Sequence, residues 1–515
     1  MPTDELIFPM TQRPGARLSP QVQAGEVVSQ GQVIALAETS ISGLVDPAGG
    51  PSPAATLHSP VAGKVTAFRE HGVLLGGELV QLSCLFIRPT IESGRTIDLV
   101  TAIAASTSAQ RQAAVKRVST ALPERMNALS TTAGRQAAFD AIAQDSGITG
   151  LGGGGFPLHA KLTASVNRVV INAAECEPFA DADNALMQSA PCEVIAGAWL
   201  ACTLLGLNEI SLAIKSTLST AQQQLGMAEG ALRSMLGGQL ELPRLKMLEI
   251  PAEYPAGAEQ QVIKRAFGIE VPAGQRASQA GVACINVSTL AALGRFILWG
   301  ESLTRRIVTV AGRAVSRPGN YEVPIGLAAD VLLEAAGVEH DRLAGLVHGG
   351  GMMGTPLATA QLPLGKSSYC LIAADGQDSG LAVEHAIRQR KGLAVDTSPC
   401  IRCGFCEPVC PVGLLPQQLH FAAIAKDSDW LQSHHLSACI ECGACEAVCP
   451  SQLPLVAEYR EAKTSETLNR LARQKSEYAR LRFEQRTERL RIEALERDAR
   501  RAARKAALGS RNPRA

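Results

Sequence analysis

The chain has 515 residues and a mass of 54.1 kDa, more than one hydrophobic core usually holds, so about three or four domains are expected. Hydrophobic residues make up 46% of the chain and charged residues 19%, a balance that excludes general disorder. Only 4% of the residues are aromatic, which argues against the stacking surfaces of a nucleic-acid-binding protein, so no nucleic-acid partner is expected.

The first ten residues, MPTDELIFPM, lack a basic stretch followed by an apolar core. No secretory signal is therefore predicted, and the chain is expected to stay in the cytoplasm. The most apolar window, 194–207, is shorter than the run of about 20 residues that spans a bilayer. Any membrane association is thus expected to be peripheral, through a partner or a surface contact.

Residues 22–35 alternate apolar and polar side chains around two glycines, and residues 58–65 continue the pattern. This alternation predicts short strands with tight turns. The segment resembles the barrel-sandwich fold of biotinyl and lipoyl carriers, but it has no Met-Lys or Asp-Lys turn that offers a lysine for modification. We predict a docking or structural domain at residues 1–100.

A glycine-rich loop follows at 147–161, with four consecutive glycines at 152–155. Backbone without side chains lets a phosphate or a flavin approach closely. Lys161 follows a predicted helix start after Pro157, so loop amides, a helix N-terminus and an ammonium group could meet at one anion. The loop lacks the Gly-Lys-Ser/Thr of a Walker A motif and fits a dinucleotide fingerprint only loosely.

The apolar run at 168–174 is typical of a buried parallel strand, which would place Asn172 at its carboxyl edge and Glu175 in the loop beyond. One interpretation gives both side chains contacts with a flavin or a nicotinamide. The other makes them helix caps and surface charges. The spacing alone leaves both open.

Between residues 305 and 372, apolar runs, a Pro-Gly-Asn turn and a glycine loop at 348–354 predict strands and loops around one helix. This segment resembles a soluble-ligand-binding β-grasp module, assigned to residues 301–376. Met352 and Met353 are expected to pack in this module rather than bind metal.

The strongest signal is a pair of C-x2-C-x2-C-x3-C-P motifs. Fourteen cysteines in a chain without an export signal indicate metal binding rather than disulfides. Triplets with a trailing Cys-Pro are typical of [4Fe–4S] clusters, whereas zinc sites commonly use two C-x2-C pairs. The predicted ligands are Cys400, Cys403, Cys406, Cys410, Cys439, Cys442, Cys445 and Cys449.

In the bacterial two-cluster arrangement the fourth cysteine of each motif binds the other cluster. We therefore assign Cys449 to the cluster of the first triplet and Cys410 to that of the second. The domain of residues 377–460 is predicted to be a helical two-cluster ferredoxin domain that relays single electrons. The six remaining cysteines, scattered singly, are expected to be small core residues.

The C-terminal segment is basic: residues 459–515 hold 17 Lys/Arg against 8 Asp/Glu, although the whole chain has a net charge of only +1. Residues 464–508 contain no Pro or Gly and many Ala, Leu, Arg and Glu, which predicts a long charged helix. The tail, assigned to 461–515, could attract an acidic membrane surface or a partner, or be simply solvated.

Four motifs, at 150–161, 171–178, 254–261 and 285–293, together resemble the flavin-binding domain of the NADH-oxidising subunit of respiratory complex I. With the cysteine motifs behind them, the chain is identified as similar to the RnfC family, whose members are subunits of the Rnf (Rsx) complex, an ion-translocating NADH:ferredoxin oxidoreductase. The similarity covers roughly residues 5–455. It implies a Rossmann-like domain at 101–300 that binds FMN noncovalently, with NADH as substrate.

The resemblance also implies site residues, carried over motif by motif. Phe156 would lie beside the nicotinamide pocket, unless it is a core residue. Ala174 and Ala258 depart from the family pattern, where acidic residues stand, and the glycine-glycine-isoleucine-histidine-proline stretch usual near the start is missing. The implied cofactor-binding residues are Gly150, Gly152, Gly153, Gly155, Phe156, Lys161, Asn172, Glu175, Tyr254, Gly257, Glu259, Asn286 and Thr289.

The fold class expected is thus multidomain α/β, with a barrel-sandwich domain, a Rossmann-like flavin domain, a β-grasp module, a ferredoxin domain and a C-terminal helix. The function implied by the resemblance is electron input to a membrane complex at the cytoplasmic side of the inner membrane, from NADH through FMN to two clusters, or the reverse. The chain would be an oxidoreductase of the translocase type. A soluble flavin diaphorase and a noncatalytic cluster-bearing adaptor are the alternatives.

Overall fold

A computed structural model describes residues 5–13, 16–38, 54–90, 99–163, 165–272, 275–393 and 397–509. The chain divides into two compact units. The first consists of Met1–Gln417 with Ser437–Leu455, and the second of Gln418–Leu436 with Val456–Ala515.

The N-terminal residues form two four-stranded sheets, with strand orders β1-β8-β7-β4 and β2-β3-β5-β6. Alternation of side chains along the strands buries one face, on which Leu6, Phe8 and Leu85 are fully buried. The short strands predicted for this region are confirmed. The strands are β1 (Leu6–Pro9), β2 (Thr11–Arg13), β3 (Ala16–Pro20), β4 (Val27–Val28), β5 (Val33–Ala37), β6 (Leu57–His58), β7 (Gly63–Leu75) and β8 (Glu78–Pro89).

The next segment contains a parallel four-stranded sheet of order β12-β11-β10-β13. Its first strand is the predicted apolar run, now found at β10. The elements are β9 (Thr101–Ala102), α1 (Ser108–Ser130), α2 (Thr132–Gln144), β10 (Arg168–Ala173), α3 (Ala182–Ser189), α4 (Pro191–Leu204), β11 (Glu209–Lys215), α5 (Ser219–Leu236), β12 (Arg244–Ile250), α6 (Glu259–Phe267), β13 (Val282–Asn286) and α7 (Val287–Trp299).

The register of this sheet brings two predicted site residues together. Strands β10 and β13 are parallel neighbours, and Asn172 pairs with Asn286 at their carboxyl ends. In an open parallel sheet this edge, beside the strands from which the chain turns in opposite directions, is where ligands bind. The loops that carry the four sequence motifs start from or lie against this edge.

A mixed sheet of order β17-β16-β18-β14-β15-β9 follows. Strand β9 joins this sheet by pairing with β15, although it precedes the parallel sheet in the chain. Helix α9 packs its buried face against β16 and β18. The elements are β14 (Arg305–Ala311), β15 (Gly319–Pro324), α8 (Ala329–Ala335), β16 (Gly345–His348), β17 (Thr355–Pro356), β18 (Cys370–Ala374) and α9 (Leu381–Arg390).

The cysteine motifs lie in loops with short helices between them. The long charged helix predicted for 464–508 is confirmed within α13. No helix in the described ranges is both long and apolar enough to cross a membrane. The elements are α10 (Pro416–Ala425), α11 (Ser428–Ser433), α12 (Ala444–Ala447) and α13 (Leu455–Gly509).

Helices α4 and α7 cross where two glycines face each other. A Cβ at position 197 would lie 2.2 Å from the carbonyl oxygen of Leu290, and one at Gly294 would lie 2.9 Å from that of Glu193. The apolar helix α4, which is buried on nearly all sides, can approach α7 only because neither position has a side chain. This crossing fixes α7 behind the edge that carries Asn286.

We expect Gly197→Ala to reduce the free energy of unfolding by about 1–3 kcal/mol, because the added methyl group must push two helices apart. Thermal unfolding followed by circular dichroism measures the loss. The matched control is Gly226→Ala in α5, where an added Cβ meets nothing within 4 Å. That change should be neutral or stabilise by about 0.5–1 kcal/mol. Equal midpoints for both variants would contradict the tight crossing.

Candidate functional site

The glycine loop lies against the end of β13 and the first turn of α7. The amide of Leu151 donates a hydrogen bond to Thr289 Oγ1 at 2.8 Å. A Cβ at Gly152 would lie 3.0 Å from the side-chain nitrogen of Asn286. The loop, Asn286 and Thr289, which the sequence predicted to share a site, are therefore brought together.

Three consecutive amides of this loop have no acceptor in the described part of the chain. The loop closes on itself, because the amide of Gly150 donates to Phe156 O at 2.7 Å and that of Gly155 to Gly150 O at 3.0 Å. The amides of Gly152, Gly153 and Gly154 remain without a described protein acceptor. Gly153 has a φ of 95°, which disfavours a residue with a side chain. Such a run of free amides is suited to an anionic group.

Two buried cations hold the loop from the side of the mixed sheet. Lys366 Nζ donates to Gly147 O at 2.6 Å, and Arg306 Nη2 donates to Leu151 O at 3.1 Å. Burial lowers the pKa of Lys366 to about 7 and that of Arg306 to about 10. Lys366 also lines a largely apolar cavity of about 720 Å³. The carbonyl ends of the loop are thus fixed, which leaves its amide face available.

The segment after Pro157 differs from the predicted helix. A single 3-10 turn, Leu158–Ala160, occupies it, and Lys161 lies at the C-terminal end of this turn. Lys161 Nζ donates to Glu259 Oε2 at 3.1 Å and to Cys284 O at 3.2 Å. Burial acts to lower the pKa of Lys161, but the charge of Glu259 outweighs it, so the pKa is raised. The helix N-terminus expected at the anion is therefore absent, and the ammonium is paired with Glu259.

Residues 254–261, here called the 254–261 segment, are fastened to the end of β10. Asn172 Nδ2 donates to Gly257 O at 2.8 Å, and Asn172 Oδ1 accepts from the amide of Ala174 at 3.1 Å. A Cβ at Gly257 would lie 1.8 Å from Ala174 O. The close approach therefore depends on glycine at position 257, and it places Glu259 next to Lys161.

A buried acidic pair lies beside Asn286. Asp183 Oδ2 accepts from Asn286 Nδ2 at 2.5 Å, and Asp183 Oδ1 accepts from Ser288 Oγ at 2.6 Å. The amide of Asp183 donates to Glu175 Oε2 at 3.1 Å. Burial and then the charge of Asp183 raise the pKa of Glu175, and burial raises that of Asp183 although its hydrogen bonds and Arg306 oppose this. Two neighbouring carboxyls in this setting favour a shared proton.

Phe156 is partly buried and lies outside the described hydrophobic cores. The guanidinium groups of Arg13 and Arg276 each lie 5.0 Å from the centroid of its ring. This is cation–π geometry on a ring next to the glycine loop. The structure thus places two cations near the predicted nicotinamide side of the cleft, in addition to Lys161.

The cysteines form two sets that follow the predicted crossing of the motifs. Burial and then the thiols of Cys403 and Cys449 raise the pKa of Cys406. The segment before Cys400 is joined to the end of the other motif, because the amide of Ser398 donates to Ser451 O at 3.1 Å. We name this group set I, which comprises Cys400, Cys403, Cys406 and Cys449.

The second group combines the other triplet with the fourth cysteine of the first motif. Burial is the largest cause of the raised pKa of Cys445, and the thiols of Cys439, Cys442 and Cys410 follow. Backbone amides already point at sulfur atoms: Leu414 donates to Cys410 at 3.3 Å, and Glu441 to Cys439 at 3.4 Å. We name this group set II, which comprises Cys439, Cys442, Cys445 and Cys410.

The donor sets fit the cofactors that the sequence predicts. Thiolates with amide N–H groups directed at sulfur are the usual ligands of [4Fe–4S] clusters. Within the described ranges no three Cys, His, Asp or Glu side chains are gathered tightly enough for one metal ion. A single ion draws its ligands to one centre, whereas each thiolate of a four-iron cluster binds a different iron. The free amides of the glycine loop likewise fit a phosphate.

Several residues of the site escaped the sequence analysis. Asp183, Arg306 and Lys366 meet the glycine loop or Asn286 only through the tertiary fold, and no motif marks them. Glu177 was noted only as a loop residue, yet Oε2 accepts from the amide of Met352 at 3.0 Å. This bond ties the end of β10 to the glycine loop of the mixed sheet. A signal for Glu177 did exist, since it shares the 171–178 motif with Glu175.

Family models match four segments of the chain. The RnfC Barrel sandwich hybrid domain matches residues 1–92, and the Nuo51 FMN-binding domain matches residues 143–295. The SLBB domain matches residues 307–356, and the 4Fe-4S dicluster domain matches residues 396–453. The second of these segments contains all the predicted flavin residues, and the last contains all eight predicted cluster ligands.

Curated relatives extend the similarity over nearly the whole chain. The C subunit of the ion-translocating oxidoreductase complex (RnfC) of Pseudomonas aeruginosa is 36% identical over 489 residues, which are 94% of this chain and 55% of that protein. The protein of the same name from Yersinia pestis bv. Antiqua is 33% identical over 501 residues, 96% of this chain and 70% of that protein. The chain belongs to the RnfC family.

Membership of the RnfC family confirms the predicted resemblance, and the segment matches confirm an FMN-binding domain and a 4Fe-4S domain in a mixed α/β multidomain chain. The chain spans 55% of the length of the Pseudomonas relative and 63% of one from Yersinia enterocolitica. Among solved structures, an NAD+-reducing [NiFe]-hydrogenase in the air-oxidized state is 22% identical, with a TM-score of 0.45, over 64% of this chain and 62% of that chain.

The acidic pair gives a prediction about stability and pH. Because the pKa of Glu175 is raised on folding, its contribution to stability is present below the ordinary glutamate pKa of about 4.3 and is lost as pH rises through the raised value. A neutral side chain avoids this loss. We therefore expect Glu175→Gln to raise the free energy of unfolding at pH 8 by about 1 kcal/mol, the worth of roughly one pKa unit.

The gain should shrink as the pH is lowered toward 4.5, where the native carboxyl is already protonated. Thermal unfolding of flavin-free protein at a series of pH values measures it. Glu209→Gln serves as the control, since Glu209 is exposed at the start of β11. A gain that is independent of pH, or equal in both variants, would argue against a shared proton.

Proposed function

We propose that this chain takes electrons from NADH through a noncovalently bound FMN and passes them singly to two [4Fe–4S] clusters. The observation that carries the proposal is the run of three free amides at Gly152, Gly153 and Gly154, next to Asn286 at the edge of a parallel sheet. This is a ready site for a phosphate on an otherwise uncharged backbone. The match to the Nuo51 FMN-binding domain over residues 143–295 supports flavin as the ligand.

The side chains around the loop would hold and orient the flavin. The loop amides bind the phosphate, and Lys161 adds positive charge close by. Asn172 and Glu175 shape the sheet edge where the ring would lie, and Phe156 with its two arginines borders the nicotinamide side. A bound flavin supplies the conversion between a two-electron hydride and single electrons. The full proposed set is Gly150, Gly152, Gly153, Gly155, Phe156, Lys161, Asn172, Glu175, Tyr254, Gly257, Glu259, Asn286 and Thr289.

The thiols of set I would hold one cluster, cluster I, and those of set II the other, cluster II. Because each set takes one cysteine from the opposite motif, the two clusters must lie side by side. That proximity is what a relay of single electrons requires. Amides directed at Cys410 and Cys439 would stabilise the negative charge on cluster II.

We further propose that the chain works as a subunit of an ion-translocating membrane complex, held peripherally at the cytoplasmic side of the inner membrane. The names of its relatives support this placement. Helix α13 is almost entirely solvent-exposed and belongs to a segment with a basic excess. Such a helix can be attracted to an acidic membrane surface or to an acidic partner.

The first experiment is anaerobic reconstitution with FMN, iron and sulfide, followed by analysis of bound cofactors and an absorbance spectrum before and after NADH. We expect about eight irons, as two cubane clusters require, and one flavin per chain, all bleached by NADH. Clusters without flavin and without bleaching would instead favour an electron-relay adaptor. Full activity without binding to membranes that carry the complex would favour a soluble diaphorase.

A matched pair of variants tests the flavin site itself. Lys161→Met should weaken FMN binding about tenfold or more, because a charge-assisted contact contributes about 1.5–3 kcal/mol. Lys264→Met is the control, since Lys264 pairs with Glu270 on the exposed side of the same domain. Fluorescence quenching of FMN on titration measures both affinities. Equal affinities in the two variants would remove Lys161 from the site.

A further inference from the structure

The 254–261 segment contacts the cysteine loops as well as the candidate flavin site. The hydroxyl of Tyr254 donates to the carbonyl oxygen of Cys442 at 2.6 Å. Gln261 Nε2 donates to the carbonyl oxygen of Pro411 at 2.8 Å, directly after Cys410. Cys442 and Cys410 come from different motifs but belong to the same thiol set. Two separate bonds therefore join this segment to set II.

The same segment is bound at its centre to the flavin cleft. Gly257 accepts a hydrogen bond from Asn172 and touches the backbone of Ala174. Glu259 pairs with Lys161 at 3.1 Å. Tyr254 and Gln261 are thus only a few residues from groups that line the cleft, so the path from the cleft to set II is short along the chain and through contacts.

The two thiol sets also differ in exposure. In the second motif, Cys442 is only 7% exposed, and the neighbouring Gly443 is buried. In the first motif, Cys403 is exposed, and its neighbours Ile401 and Phe405 are 66% and 59% exposed. One set therefore faces the interior of this unit, and the other has a triplet loop open to the surroundings.

We infer that cluster II is the cluster nearer to the flavin cleft and receives electrons first, whereas cluster I lies nearer to the surface and delivers them onward. Each step moves one electron, so that the donor is oxidised and the next cluster reduced. The inference rests on the proposed function for the identity of the donor. The contacts of Tyr254 and Gln261, however, assign a position to each cluster that can be tested without NADH.

The test uses the reconstituted full-length chain in a potentiometric titration with mediators, followed by EPR spectroscopy. In Tyr254→Phe the positive end of the hydroxyl dipole is removed from the Cys442 carbonyl, which should lower the midpoint potential of cluster II alone. Cys403→Ser identifies the signal of cluster I, because this exposed ligand can be exchanged with little strain. A soluble dysprosium chelate should shorten the relaxation of the cluster I signal more than that of cluster II.

Tyr321→Phe is the matched control, since this tyrosine also donates its hydroxyl to a backbone carbonyl, that of Arg317, but within the mixed sheet. It should leave both potentials unchanged. The inference is overturned if Tyr254→Phe shifts the signal altered by Cys403→Ser, shifts both signals equally, or shifts neither. A chelate effect that is stronger on cluster II overturns it as well.

Rapid freezing after mixing with NADH then tests the order of reduction. Cluster II should be reduced before cluster I, and the reverse order would overturn the inference. If NADH reduces neither cluster while the titration still shows the selective shift, the proposed function fails and the assigned positions of the clusters stand. The two hypotheses are thus separated by one set of samples.

Discussion

The approach of Gly257 to the end of β10 is the contact on which the candidate site depends. A side chain at this position would collide with the Ala174 carbonyl, and the Asn172 hydrogen bond fixes the remaining geometry. With the segment held there, Glu259 reaches Lys161 on one side, and Tyr254 reaches the Cys442 loop on the other. One backbone contact therefore sets the position of two redox sites relative to each other.

Around this contact the chain buries an unusual amount of charge near the sheet edge. Removing ionised groups from water is costly unless they are paired or hydrogen-bonded. Here Arg306 and Lys366 are bound by backbone carbonyls, while Asp183 accepts from Asn286 and Ser288. The cations hold the carbonyl side of the glycine loop, so its amide side faces outward. The energetic cost of these buried groups is thus spent on keeping an anion-binding backbone in place.

Much of this arrangement could be predicted from local sequence. The apolar run gave β10, and cysteine spacing gave the two sets, because each depends on residues close in the chain. The helix expected after Pro157 was wrong: only ten residues separate Pro157 from β10, and after one 3-10 turn the chain must already enter the strand. Asp183 and Arg306 could not be predicted, since their roles arise from contacts more than a hundred residues apart.

The bond between Tyr254 and Cys442 has a further property that follows from its surroundings. Burial and then the charge of Glu177 raise the pKa of the Tyr254 phenol well above its usual value. The phenol is therefore neutral at every pH at which the protein is folded, and its hydroxyl stays a donor. Glu177 is itself held by the amides of Met352 and Met353 from the mixed sheet. A link between cleft and cluster loop that does not titrate allows electron transfer to proceed without depending on the proton concentration around the protein.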